Sequence, residues 1–143
     1  MDLGCGSGNT GTELSASAYN DYTGVDISDV AIETAKKRAQ KQGRAEKNRY
    51  TQWDISSYEP TQQFDVILFR DSIYYVAGPK LKGLLDRYSK CLKQGGVFIV
   101  RLWSGRGSYK GIVDFIEANF EVVEKIVSGP AETVVLVFRP VGA

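Results

Sequence analysis

The residue types most capable of chemistry are concentrated near the start of the chain. Positions 2–11 read Asp-Leu-Gly-Cys-Gly-Ser-Gly-Asn-Thr-Gly, and a second carboxylate, Asp26, closes the next predicted strand. Glycines let a backbone approach a ligand where a Cβ atom would clash, and a helix predicted directly behind the loop offers free N–H groups. A carboxylate about 20 residues after such a loop can accept hydrogen bonds from both ribose hydroxyls. The pattern predicts an adenosine-containing cofactor at the carboxyl ends of a parallel sheet.

The loop alone leaves two kinds of cofactor open. The stretch from Gly6 to Gly11 satisfies G-x-G-x-x-G, which is typical of dinucleotide sites. Against NAD(P), the chain supplies only one cofactor-binding half, and it has neither a Tyr-x-x-x-Lys pair nor a histidine to move a proton alongside a hydride. Asp2, directly before the glycines, suits a ligand that presents an ammonium group there better than it suits a pyrophosphate.

Composition excludes several classes of function. The 143 residues contain no histidine and two cysteines, Cys5 and Cys91, which removes His-based catalytic dyads and triads and predicts no metal site. A net charge of +1 gives no reason to expect nucleic acid or a membrane as partner, and the basic cluster around Lys36 reads as a solvated helix face. We expect a single domain, residues 1–143, in the cytoplasm, with a small molecule as partner.

Strands and helices alternate along most of the chain, which predicts βαβ units and a parallel sheet. The last two strands break the alternation, and their short connection, which carries Gly129 and Pro130, makes them antiparallel. The predicted class is α/β, with a doubly wound, mainly parallel sheet. The predicted strands are Tyr22–Val25, Arg49–Trp53, Phe64–Phe69, Val97–Trp103, Phe120–Val127 and Thr133–Phe138. The predicted helices run from Thr10 to Ala18, from Ser28 to a stop at Gly43, through Leu81–Leu92 to a stop at Gly95-Gly96, and around Ile112–Ile116.

The motifs resemble those of the class I S-adenosylmethionine-dependent methyltransferases. Asp-Leu-Gly-Cys-Gly-Ser-Gly at 2–8 and Gly-Val-Asp-Ile-Ser at 24–28 resemble the first two motifs of that family. Trp-Asp-Ile at 53–55, Phe-Asp-Val-Ile-Leu at 64–68 and Leu-Lys-Gln-Gly-Gly-Val-Phe at 92–98 resemble the next three, in order. The resemblance implies a Rossmann-like sheet of order 3-2-1-4-5-7-6 with strand 7 antiparallel, and S-adenosylmethionine as the cofactor.

The resemblance also implies roles for individual residues. Asp26 matches the ribose carboxylate, Ile27 the residue against the adenine face, and Asp54 the acidic residue at the adenine amino group, with the Ile55 N–H beside it. Phe69 and Arg70 end strand 4, where a main-chain carbonyl meets the cofactor ammonium group. The residues that match the loop under the methionine part are Asp2, Gly4, Cys5 and Gly6.

The same family match suggests where methyl transfer takes place. Asp71, Ser72, Tyr74 and Tyr75 follow strand 4 and face the expected acceptor region, and Asp71 and Tyr75 are the candidate catalytic residues. Many members that act on small molecules carry a histidine where Tyr75 stands, so proton removal by histidine is not available here. The leading hypothesis is methyl transfer to a small-molecule acceptor. The second hypothesis is a cofactor-binding remnant that catalyses no reaction, and the third is an NAD(P)-dependent oxidoreductase.

Family members have most of strand 1 and one or two helices ahead of the loop. Here only Met1, Asp2 and Leu3 precede Gly4, which predicts a truncated strand 1 and no lid over the acceptor. Apolar surface around Tyr74, Tyr75 and Trp103 would then be exposed. Exposed apolar patches mark interfaces, so a homo-oligomer is a further expectation.

Overall fold

The structure, a computed structural model, describes residues 1–76, 78–129 and 132–143. Its strands form one seven-stranded sheet in the order β3-β2-β1-β4-β5-β7-β6. The last strand in sequence, β7, runs antiparallel to both of its neighbours, β5 and β6. The predicted fold class and strand order are therefore confirmed. No helix in these three ranges is long and apolar enough to span a membrane.

The chain divides into two compact units, and the first comprises Met1–Glu59. Parallel pairing joins β1 to β2 and β2 to β3. The elements of this unit are β1 (Asp2–Leu3), α1 (Asn9–Glu13), β2 (Tyr22–Asp26), α2 (Asp29–Lys41) and β3 (Asn48–Gln52).

The second unit comprises Pro60–Ala143. Its strands β4 and β5 are parallel, and Arg70 lies opposite Arg101 in their register, so the two strands end at the same edge. The elements of this unit are β4 (Phe64–Arg70), α3 (Gly78–Ser89), β5 (Leu92–Trp103), α4 (Lys110–Asn119), β6 (Phe120–Ser128) and β7 (Thr133–Pro140). The 3₁₀ turns Ile73–Tyr75 and Ser104–Arg106 follow β4 and β5. The predicted turn includes Gly129, but Pro130 lies outside the described residues.

Helix α2 begins directly after Ser28, the residue that the sequence predicts as its N-cap. The Ser28 side chain accepts a hydrogen bond from the Ala31 N–H, and Asp29 lies in the first turn, where a negative charge complements the helix dipole. Ile32, Ala35 and Ala39 are buried at helical spacing. They pack against Cys5, Tyr22 and Tyr50 to form the core of the first unit.

The prediction for α1 is wrong in length. The helix ends at Glu13, and Leu14 already has an extended backbone, whereas the sequence predicted helix to Ala18. Side chains from beyond α2 bind the carbonyls of this segment: Arg44 donates to Leu14 O over 2.6 Å, and Lys47 donates to Ala16 O. Ser15 and Ser17 are weak helix formers, so local propensity holds the helix only weakly here and these tertiary hydrogen bonds stabilise the extended path instead.

The boundary between α3 and β5 is also wrong. The helix ends at Ser89, and Leu92, predicted as its last apolar residue, instead pairs with Phe64 in the sheet. Gly95 and Gly96 do not stop the helix but lie inside β5, where the register between β4 and β5 shifts. Gly95 has φ 77°, and a Cβ on Gly96 would lie 2.9 Å from Lys93 O, so glycines are required at this bulge.

The packing of the first unit can be tested at Gly24. A Cβ built there would lie 2.6 Å from Tyr50 Cδ1 and 2.9 Å from Cys5 Sγ, so Gly24→Ala overpacks the core. We expect a loss of about 1–3 kcal/mol in the free energy of unfolding. The control is Gly83→Ala in α3, where a Cβ meets nothing within 4 Å; removing a helical glycine there should stabilise by about 0.5–1 kcal/mol. Chemical denaturation of both variants is the measurement, and equal effects would contradict the packing described.

Candidate functional site

The glycine loop of the first unit is held to the end of β2 by main-chain hydrogen bonds. The N–H groups of Gly4 and Cys5 both donate to Val25 O, over 2.8 and 3.0 Å. Gly4 and Gly6 have positive φ angles of 81° and 55°, a conformation that glycine adopts without strain. A Cβ on Gly6 would meet no atom within 4 Å. The loop therefore exposes backbone to an open space that a ligand can enter.

Asp26 ties this loop to the start of α2. One carboxylate oxygen, Oδ2, accepts from the Gly6 N–H over 2.9 Å, and the other, Oδ1, accepts from the Ser28 N–H over 2.9 Å. The side chain is half-buried. Each carboxylate oxygen can accept a second hydrogen bond, so Asp26 retains acceptor capacity for the hydroxyls of a ribose.

The side chains beneath the loop are buried and polar. Asp2 is 2% exposed, and the Tyr22 hydroxyl donates to its carboxylate. Burial, followed by the Asp2 charge, raises the pKa of Tyr22. Burial and then the charges of Asp2 and Asp26 likewise raise the pKa of Cys5, so its thiol stays protonated and is not a nucleophile. Cys5 is a small core residue in a tight turn.

The segment after β3 lies beside Asp26. The Trp53 N–H donates to Asp26 O over 2.9 Å, which places Asp54 and Ile55 next to the end of β2. Asp54 Oδ1 accepts from the N–H and the hydroxyl of Ser56 over 2.8 and 2.6 Å. Ile27 is 66% exposed. Its exposed apolar side chain offers a surface on which a planar ring can lie.

The predicted residues of the second unit lie at the edge where β4 and β5 end. Phe69 is buried, and Arg70 is half-buried at the last position of β4. Asp71 has φ 55°, a left-handed conformation uncommon outside glycine. Its N–H donates to Arg101 O over 3.1 Å, and its Oδ2 forms an ion pair with the Arg101 guanidinium. Its other oxygen, Oδ1, is buried without a hydrogen-bond partner among the described residues.

Tyr75, the other candidate catalytic residue, is 72% exposed. Its hydroxyl accepts from Arg106 Nη1 over 2.6 Å. The neighbouring Tyr74 hydroxyl accepts from the Trp103 N–H and contacts Trp103 O at 3.3 Å, so the Ile73–Tyr75 turn is bound to the end of β5. Asp71 and Tyr75 therefore lie on one segment, but a different arginine binds each of them.

Arg101 lies within the predicted strand Val97–Trp103, but the sequence indicates no partner for it, and sequence reasoning missed Arg106 altogether. No motif marks Arg106, which lies on a 3₁₀ turn outside the sheet. Only the folded segments bring these arginines to Asp71 and Tyr75.

The glycine loop, Asp26 and the segment after β3 have the donor set and the open space that an adenosine-containing cofactor requires. Comparison with known families identifies the family of the chain: the family described as "Methyltransferase domain" matches residues 1–98. The chain belongs to this methyltransferase family. The family is S-adenosylmethionine-dependent, which confirms the resemblance and the predicted cofactor and decides between the two cofactors that the loop left open.

Curated methyltransferases match over about 70% of the chain. An mRNA cap guanine-N(7) methyltransferase of Schizosaccharomyces pombe is 31% identical over 108 residues, which are 69% of this chain and 30% of that protein. A trans-aconitate 2-methyltransferase of Acidovorax sp. strain JS42 is 34% identical over 104 residues, 71% of this chain and 37% of that protein. The chain thus spans about a third of the length of these relatives.

The fold of this methyltransferase domain matches a solved structure over nearly its whole length. The crystal structure of an S-adenosylmethionine-dependent methyltransferase from Clostridium acetobutylicum superimposes with a TM-score of 0.82 at 19% identity. The match covers 99% of this chain and 83% of that one. At this identity the likeness establishes the fold.

The buried Tyr22–Asp2 pair predicts a pH dependence. The pKa of Tyr22 is raised in the folded protein above about 10, its value in an unfolded chain. Deprotonation then favours the unfolded state, so the stabilisation is complete below pH 10 and declines as the pH rises toward the folded pKa. We expect the free energy of unfolding to fall above pH 10 by up to about 1.4 kcal/mol per pH unit for this group.

Tyr22→Phe should remove this contribution, so that the decline above pH 10 becomes less steep although the variant is less stable at neutral pH. Denaturation midpoints between pH 7 and 11 provide the measurement. Identical slopes for wild type and Tyr22→Phe would contradict the assignment.

Proposed function

We propose that this domain binds S-adenosylmethionine and transfers its methyl group to a small-molecule acceptor. The observation that carries the proposal is the 2.9 Å hydrogen bond from the Gly6 N–H to Asp26 Oδ2. It brings the glycine loop and a carboxylate with spare acceptor capacity to one place, as an adenosine-containing ligand requires. We further propose that residues 1–143 act as one domain, because the strands of both units belong to one sheet.

The cofactor-binding residues are proposed on the family pattern and supported by the geometry of each unit. In the first unit, Asp26 accepts from the ribose hydroxyls, Ile27 covers one face of the adenine, and Asp54 with the Ile55 N–H binds its edge. In the second unit, the backbone at Phe69 and Arg70 binds the ammonium group. The residues that hold the methionine part are Asp2, Gly4, Cys5 and Gly6.

When bound, the cofactor supplies an electrophilic methyl group on a sulfonium with a good leaving group. The remaining task of the protein is to orient the acceptor, and positioning of this kind can lower a barrier by several kcal/mol. We propose that Tyr75 contacts the acceptor and that the segment bearing it is held in place by the Tyr74–Trp103 contacts. The buried Asp71 Oδ1 is the candidate base where an acceptor such as a hydroxyl must lose a proton.

The acceptor and the surroundings of the protein are proposed from composition and surface. A net charge of +1 favours a small molecule over nucleic acid. Both cysteines are free, which agrees with a reducing cytoplasm. Val123, Ile126 and Val127 are exposed on β6, which supports self-association.

Calorimetric titration tests the cofactor. We expect S-adenosylmethionine and S-adenosylhomocysteine to bind and NAD not to bind. Production of S-adenosylhomocysteine with a panel of small acceptors then separates an enzyme from a cofactor-binding remnant. Binding of NAD alone would overturn the proposal.

Asp26→Ala should weaken S-adenosylhomocysteine binding roughly 10- to 150-fold, because bonds to a charged group contribute about 1.5–3 kcal/mol. The matched control is Asp29→Ala, an exposed carboxylate in the first turn of α2. Calorimetry gives the affinities, and thermal melting checks that each variant is folded. Equal affinities in wild type and a folded Asp26→Ala variant would mean that Asp26 only ties the loop to α2.

Gly6→Val should abolish the thermal stabilisation by S-adenosylhomocysteine, since a branched side chain would fill the open space over the loop. Gly43→Val is the control: Gly43 also has a positive φ, 68°, and open space around its Cβ position. Both variants should lose about 1–2 kcal/mol of stability from left-handed strain. Only Gly6→Val should lose the response to the ligand, and a retained response would refute the loop assignment.

A further inference from the structure

Arg101, near the end of β5, and Arg106, on the turn that follows β5, differ in whether a carboxylate neutralises their positive charge. Arg101 forms an ion pair with Asp71, so its charge is compensated inside the second unit. Arg106 has no carboxylate partner in the described part of the chain, and its one hydrogen bond there goes to the Tyr75 hydroxyl. The 3₁₀ turn Ser104–Arg106 therefore brings to Tyr75 a positive charge that no carboxylate of the described residues compensates.

This charge belongs to a connected cluster, which we call the tyrosine–arginine cluster: Tyr74, Tyr75, Arg101, Trp103 and Arg106. Tyr74 connects its parts, since its hydroxyl is bound to the Trp103 backbone. Burial, the largest cause, raises the pKa of Tyr74, and its hydrogen bond to the Trp103 backbone opposes the rise. Tyr74 precedes Tyr75, whose hydroxyl accepts from Arg106, so the two hydrogen bonds join the Ile73–Tyr75 turn to the end of β5 and to the turn that follows it. The cluster presents aromatic surface beside the free guanidinium, with Trp103 40% exposed.

The hydrogen bonds of Tyr75 and Arg106 leave donors that favour binding of an oxyanion. A guanidinium has five N–H donors and no acceptor, and Arg106 uses one of them on Tyr75. Because the Tyr75 oxygen accepts that bond, its own O–H proton remains available to donate. Two donors on adjacent side chains, one of them charged, match the oxygens of a carboxylate or phosphate, which form strong charge-assisted bonds with arginine.

We propose that Arg106, together with the Tyr75 hydroxyl, binds an oxyanionic group, carboxylate or phosphate, of the methyl acceptor. The inference rests on the proposed function, which it deepens by naming the class of acceptor. Arg106 acts in specificity: it selects acids over their neutral analogues and holds them beside Tyr75. Arg101 has a different role, because its charge positions Asp71.

The experiment uses the full chain saturated with S-adenosylhomocysteine and three probes: glutarate, inorganic phosphate and neutral glutaramide. The chain has two tryptophans, so its amide correlation spectrum contains two indole N–H signals. The Trp103 signal, assigned with Trp103→Phe, reports on the cluster, and the Trp53 signal serves as the reference for general salt effects. We expect glutarate or phosphate to shift the Trp103 signal in a saturable manner and glutaramide to leave it unchanged. The stronger of the two anions identifies the source of the oxyanion.

The variants are Arg106→Gln and the control Arg49→Gln, an exposed arginine of β3 that pairs with Asp21. We expect Arg106→Gln to weaken binding of the anion about tenfold or more, as for loss of a charge-assisted bond. We expect Arg49→Gln to bind it as the wild type does. Arg106→Lys should recover part of the affinity, since it keeps the charge but not the planar donors.

The proposal is overturned if neither anion shifts the Trp103 signal, if glutaramide shifts it equally, or if Arg106→Gln binds the anion as tightly as the wild type. Failure of the proposed function gives a different result. In that case S-adenosylhomocysteine does not bind, while the anion titration of the free protein still reports on Arg106.

Discussion

The first unit depends on how its glycine loop is attached to β2. Two N–H groups share the Val25 carbonyl and a third donates to the Asp26 carboxylate, so the loop turns sharply at the end of a buried strand. This path requires positive φ angles at Gly4 and Gly6. With the turn in place, Cys5 points into the core and backbone faces outward. The core under α2 and the open surface above the loop are therefore two results of the same set of hydrogen bonds.

In the second unit, the ion pair between Asp71 and Arg101 fixes the backbone at the edge of the sheet where β4 and β5 end. Asp71 leaves β4 in a left-handed conformation and is held there by both the carbonyl and the guanidinium of Arg101 on the neighbouring strand. The residues that follow form a 3₁₀ turn anchored by the Tyr74 hydroxyl on β5. Aromatic packing behind this edge, including Phe98 stacked on Phe138 at 5.1 Å, keeps the strands in register. The rigid sheet thus supports a polar segment that is ready to contact a ligand.

The alternation of apolar strands with capped helices predicted the fold class, and the resemblance of the ordered motifs to a known family implied the strand order. It failed where tertiary contacts outweighed local preference. Arg44 binds the Leu14 carbonyl, which a longer α1 would have used internally, and Leu92 fits the spacing of a helix but pairs with Phe64. The candidate loop residues were visible in the glycine pattern. The partners of Asp71 and Tyr75 were not, because each arginine is some 30 positions away along the chain.

The two arginines also differ in how freely evolution can replace them. Arg101 lies inside β5 and its carbonyl and guanidinium both hold Asp71, so a change there disturbs the sheet edge. Arg106 lies on an exposed 3₁₀ turn that follows β5, so its side chain can be exchanged at little structural cost. A substitution of Arg106 therefore alters the charge of an exposed turn and leaves the sheet intact, whereas a substitution of Asp26 also releases the glycine loop, because its carboxylate accepts from the Gly6 N–H.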